Sequence, residues 1–348
     1  MIGAAAERVV LQAVDKLAVT VLVDNYVDAL LPTEGPARRP ARGATTIPAS
    51  LLDGGRQGDA LRAEHGFSAL VTLSRGGSRH SLLFDAGLSQ DGLTHNLRRL
   101  ELAPADIEAV VLSHGHVDHT AGLHGLLGSL RQDLPLVIHP DAWLRRRLAV
   151  PGADPIELPP LSMRSLHEAG FEVLERRTPS LVFDSALLVT GEVDRETDFE
   201  RGFPIHQALR GRDWSADPLI ADDQALVADV RGLGLVVITG CGHAGIVNTV
   251  RHALRATGAT RVHAILGGFH LTGPLFEPLI PRVCRELATI APAVLVPMHC
   301  SGWRATQALA AQLPTAFSRS SVGTRFEFNA NATADRDAHG VLAGAGRS

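Results

Sequence analysis

Ser113-His114-Gly115-His116-Val117-Asp118-His119-Thr120 decides how the rest of the chain is to be read. It follows an apolar run, Ile107–Leu112, that has the composition of a buried strand. Three imidazoles and a carboxylate within six positions suit a borderline divalent ion such as zinc. His114 and His116 lie two apart, so in an extended segment both rings project to one side. Gly115 between them lets the backbone pass close to an ion. Asp118 and His119 are adjacent, face different directions, and can serve a second ion.

Three later segments share one design, a strand running into a turn that carries histidine. Leu235–Thr239 leads into Gly240-Cys241-Gly242-His243 and then a helix from Ile246 to Ala256. Ala264–Leu266 leads into Gly267-Gly268-Phe269-His270. Ala293–Met298 ends in His299-Cys300-Ser301-Gly302. His243 can complete a three-histidine set with His114 and His116. Cys241 is a further candidate ligand, with an inert buried thiol as the alternative. His270 is a ligand, a general acid or a substrate contact. His139, at the end of Leu134–Ile138, is expected to be structural. Four strand ends that each deliver histidine imply convergence on one centre.

The motif His-x-His-x-Asp-His after a hydrophobic strand, followed by Thr120-Ala121-Gly122-Leu123, resembles the signature of the metallo-β-lactamase superfamily. Gly240–Thr249, Gly267–Leu271 and Pro297–Gly302 are similar to the branch typified by dihydropterin-(ribofuranosyl)aminobenzene phosphate synthase. The resemblance implies an α/β, four-layer αββα sandwich with one or two metals at the edge of its two sheets. It further implies that His299 ligates the second metal beside Asp118 and His119. Many superfamily members carry a bridging Asp where this chain has Cys241, and others carry Cys. Phe84-Asp85-Ala86-Gly87 is similar to the family's turn beneath the metal loop. Asp85 there is either a hydrogen-bond partner of a ligand histidine or a plain turn residue.

The chain of 348 residues, 45% hydrophobic and 20% charged, is ordinary for a globular protein. A net charge of −4 gives no general reason to bind nucleic acid or an anionic membrane. Three cysteines are too few for a disulfide framework and point to a reducing, cytoplasmic setting. No secretory signal and no apolar run near 18 residues is read. One domain over 1–328 is expected, with a helix before the strand Leu17–Asp24 and a long loop at 31–64. Further expectations are helices at 90–100 and 121–131, an insertion or substrate-side elaboration at 150–224, and a disordered tail at 329–348.

These features lead to a metal-dependent hydrolase of a small molecule, with zinc as cofactor and homo-oligomers open. A metal lowers the pKa of bound water from about 15.7 to near 7, on the order of 12 kcal/mol in hydroxide availability. The leading expectation is a zinc-bound hydroxide, oriented by Asp118, that opens a cyclic amide or ester. This would be a β-lactam or lactone type, with antibiotic resistance as its biological correlate. The alternatives are a phosphoester or pyrophosphate enzyme on a pterin- or nucleotide-like substrate, and a non-catalytic metal or ligand binder. Asp118 and His270 are the candidate catalytic residues. The candidate ligands are His114, His116, Asp118, His119, His243 and His299.

Overall fold

The computed structural model describes residues 8–41 and 46–330. Two twisted sheets face one another. The first has eight strands in the order Phe171–Glu175, Leu134–Ile138, Ala109–Val111, Ser78–Phe84, Ser68–Arg75, Lys16–Val23, Arg325–Phe328 and Ala37–Arg38. The second has six, Ser180–Val182, Leu187–Val189, Ala225–Val230, Gly234–Thr239, Val262–Gly268 and Val294–Met298.

Alternation along the strands builds the layers. Leu226, Ala228, Val236, Ile238 and Leu266 face inward and meet Leu17, Val19, Val71 and Phe84 of the first sheet. Their neighbours Val227, Val237 and Ile265 face outward onto the helices Ile246–Thr257, Ile280–Ile290 and Trp303–Gln312, through Val250, Val283, Leu287 and Leu309. On the far side, Leu70, Leu83 and Val110 pack on Leu93 and Leu97 of the helix Gly92–Arg99. The result is the four-layer αββα sandwich. Both faces of the central strands are apolar, as parallel strands covered on two sides require.

Parallel pairing sets where the site falls. Gly234–Thr239, Val262–Gly268 and Val294–Met298 run parallel, so their C-terminal ends share one edge. Ser78–Phe84, Ala109–Val111 and Leu134–Ile138 do the same in the first sheet. Gln224 joins the two edges, donating from its backbone to Ser113 O and from its side chain to Leu112 O (both 2.9 Å).

Several local expectations differ from the structure for identifiable reasons. Residues 121–131, read as a helix, form only a 3-10 stretch at Ala121–Leu126. There Gly122 and Gly125 pack against the carbonyls of Ala86 and Gln90 without room for a Cβ. Residues 8–13 are not helical, because they pair outward: Val9 N bonds Ala256 O and Gln12 N bonds Ser185 O, both at 2.8 Å. The first seven residues of the expected helix lie outside the described residues, as do 331–348 of the expected tail. The 31–64 loop contains three short strands. Residues 150–224 supply strands to both large sheets and to a third sheet, Ile156–Leu158, Arg146–Leu148, His206–Arg210 and Asp213–Ala216. Among the described residues no helix is long and apolar enough to cross a membrane.

Candidate metal centre

The donors from both sheet edges converge. His114, Cys241 and His243 present ligand atoms all within 4.8 Å of one another, and so do Asp118, His119, Cys241 and His299. Cys241 belongs to both sets. His116 stands beside the first, with its ring centroid 4.5 Å from that of His114 and 4.9 Å from that of His243. The sequence-based candidates are therefore gathered at one place, with His270 adjoining at 4.1 Å between its ring centroid and that of His243. His139 is apart from them; its Nδ1 accepts from Asp141 N at 3.0 Å and caps a 3-10 turn.

The hydrogen bonds around the rings fix which nitrogen faces inward. Ser113 Oγ lies 2.7 Å from Asp85 Oδ2 and 2.9 Å from His114 Nδ1. Its single proton goes to the carboxylate, so His114 Nδ1 donates to the hydroxyl and Nε2 keeps a free lone pair. His119 Nδ1 donates to Asp85 Oδ2 at 2.7 Å, and His299 Nδ1 to Asn25 Oδ1 at 3.0 Å. Asp85 is thus a partner of a ligand candidate, not a plain turn residue. His116 is held by a relay. His206 Nδ1 donates to Asp217 O at 3.1 Å, leaving its Nε2 to accept from His116 Nε2 at 2.9 Å. His116 Nδ1 is then the lone-pair nitrogen. His114, His116 and His299 are each held by one nitrogen, which leaves the other to face a metal.

Buried polar atoms without partners test whether a cation fits. His114 Nε2, both nitrogens of His243, His299 Nε2 and His270 Nδ1 are buried and make no hydrogen bond. Such atoms are rare in folded proteins, and four of the five belong to the two donor sets. A soft-to-borderline cation satisfies them, and imidazole, thiolate and carboxylate are the donors zinc takes.

Electrostatics divide the two sets. Burial, with His206 and Arg146, holds His116 at about 3, and burial beside His119 and His116 holds His114 well below its ordinary value. Burial and His270 do the same to His243. His119 goes the other way. Despite burial, Asp118 and Asp85 raise it to about 9. Asp118, although buried, is held well below the carboxylate range by His119 and His299. Burial pushes the Cys241 thiol up.

Sequence reasoning missed the supports. Asp222 accepts from Gly115 N (2.8 Å) and from Arg146 Nη1 (2.8 Å), and Asp217 holds Arg146 Nε at 3.2 Å. This buried cluster fixes the His114–His116 turn. Asp24 accepts from His299 N at 2.9 Å. Glu200 accepts from Val247 N (2.9 Å) and Asn248 N (2.8 Å), closing the start of the helix that follows His243. These residues carry no spacing signal, since their partners are up to 275 positions away.

A nest of histidine, cysteine and aspartate at the shared edge of an αββα sandwich defines a metal-binding enzyme fold. The chain belongs to the metallo-β-lactamase superfamily, whose pattern matches residues 62–252, and it is an enzyme of that superfamily. It is 26% identical over 278 residues to 7,8-dihydropterin-6-methyl-4-(β-D-ribofuranosyl)-aminobenzene-5'-phosphate synthase of Methanocaldococcus jannaschii, covering 76% of this chain and 90% of that one. An uncharacterized protein of the same organism is 30% identical over 245 residues, covering 70% and 86%. A solved metal-dependent hydrolase of the β-lactamase superfamily has the same fold, with a TM-score of 0.66 at 22% identity over 90% of this chain and 99% of that one.

Proposed function

We propose that this chain is a metal-dependent hydrolase or transferase acting on a phosphoester or pyrophosphate of a small, ring-bearing molecule. The observation that carries the reading is the pairing of two donor sets through Cys241. Two adjacent ions held there would supply the charge stabilisation that displacement at phosphorus needs. His114, His116 and His243 would hold one ion and Asp118, His119 and His299 the other, with Cys241 between. Ions so held supply Lewis acidity and a more acidic water.

The chain's own groups do the rest. Asp118 is 18% exposed and its carboxyl resists protonation, so it orients a water by accepting its proton in a hydrogen bond. His270 lies at the open side of the nest, with ring centroids 5.4 Å from Phe203 and 4.5 Å from Phe276. It is placed to hold or give a proton at the leaving oxygen. Phe203 and Phe276 exclude water and offer faces to a flat ring.

The relative named for a phosphate synthase of a pterin favours this substrate class over the cyclic amide or ester. β-Lactam opening and antibiotic resistance have no specific support. The test is the zinc- or manganese-loaded protein assayed against a phosphodiester, a pyrophosphate, a cephalosporin and a lactone. Turnover of the phosphorus esters, lost in His119→Ala, is expected. Turnover confined to the lactam or lactone would sink the proposal.

A further inference from the structure

A third group of donors adjoins the two sets, and its third member, Cys300, has no part in the proposed chemistry. Cys241, His270 and Cys300 present ligand atoms within 4.8 Å of one another. Cys300 belongs to neither of the other sets. Both thiols are buried, and Cys300 Sγ lies 3.1 Å from Cys241 O. Gly268 makes room for this approach. A Cβ there would stand 2.7 Å from Cys300 Sγ and 3.1 Å from Cys241 Cα. His270 reaches the group from a left-handed backbone, φ +45°, a conformation that costs a non-glycine residue on the order of 1 kcal/mol or more. Its Nδ1 is buried without a partner.

We propose that Cys241, His270 and Cys300 form a thiophilic metal subsite, distinct from the two sets above, for a soft or borderline ion such as cadmium, copper(I) or zinc. Two sulfurs and one imidazole suit such ions. The two neighbouring sets each have at most one sulfur among nitrogen and oxygen donors. Sulfur–metal bonds of about 2.3 Å and nitrogen–metal bonds near 2.0 Å bring the three donors inward with small side-chain rotations. Any proton still on a thiol passes to solvent as its bond to the ion forms, and no redox change occurs. Cys241 is shared with the catalytic sets, and His270 is the proposed proton carrier. A soft ion here therefore takes both away from the substrate side and inhibits.

This inference rests on the proposed function through Cys241 and His270, and the two can fail separately. Zinc-loaded protein is titrated with cadmium while the ultraviolet thiolate-to-metal charge-transfer band is followed. X-ray absorption of the cadmium-bound wild type counts the sulfurs. Two sulfurs per cadmium are expected. The band per bound ion should fall by about half in Cys300→Ser and stay unchanged in Cys284→Ser, whose thiol lies in the outer helical layer. One sulfur or none in the wild type, or the same band in Cys300→Ser, overturns the subsite. The wild-type sulfur count decides the matter even if the variant does not fold. Zinc content measured before cadmium is added reports on the catalytic sets. Failure of both zinc and manganese to load, with two-sulfur cadmium binding, would remove the proposed function and leave this inference standing.

Discussion

The two donor sets share Cys241 yet are built on opposite electrostatic plans. Burial above all, with neighbouring imidazoles, keeps the rings of His114, His116 and His243 neutral far into acid. Around His119 stand two carboxylates, Asp118 and Asp85, which favour the charged ring up to about pH 9. The histidines of the first set are therefore ready for a cation at neutral pH, whereas His119 in the second must shed a proton before binding one. Neighbouring pockets made of the same residue types thus differ in what they ask of an incoming ion.

The largest expected effect breaks the scaffold of the first set alone. Asp222→Ala leaves buried Arg146 with Asp217 as its remaining carboxylate and frees Gly115 N. Losing one partner of a buried pair costs roughly 3–5 kcal/mol. The surviving Asp217 places the loss near the lower end, about 3 kcal/mol in urea unfolding. A loss under about 1 kcal/mol would show that the cluster does not hold the turn.

A smaller effect separates the sets by pH. His119 is protonated below about 9, so each ion entering the second set displaces that proton. Affinity there should fall about tenfold per pH unit on acidification, or about a hundredfold from pH 8 to pH 6. The first set, where His116 titrates near 3, pays no such cost from its histidines, and the proton of shared Cys241 weighs on both. Competition with a chromophoric chelator should show one tight and one weakened zinc at pH 6. Equal weakening of both would erase the contrast.

The smallest effect sharpens it. Asn25→Ala removes the acceptor behind His299 Nδ1 and should weaken only the second ion, by about tenfold. Calorimetric titration resolves the two events. Weakening of the first ion instead would mean the rings are assigned to the wrong sets.

The ligands were legible because they are written as local patterns. The His114–His119 loop packs four donors after one strand, and Cys241, His243, His270 and His299 each follow an apolar strand and a turn. Parallel pairing converts those strand ends into one edge. The supports were not legible, since Asp222, Arg146, His206 and Asn25 meet their partners only across sheets. His206 sits in a short strand of the third sheet whose neighbours show no site-like spacing. The misread 121–131 helix has the same origin. Its glycines, Gly122 and Gly125, are required by the facing carbonyls of Ala86 and Gln90, which lie far off in sequence.

Asp85 stands in a left-handed conformation, φ +58°, and one oxygen, Oδ2, serves both Ser113 Oγ and His119 Nδ1. Through Ser113 it also steadies His114. A single atom thereby fastens a ring from each half of the centre. Tightening at either end restrains the other, so the first ion to arrive prepares a seat for its companion.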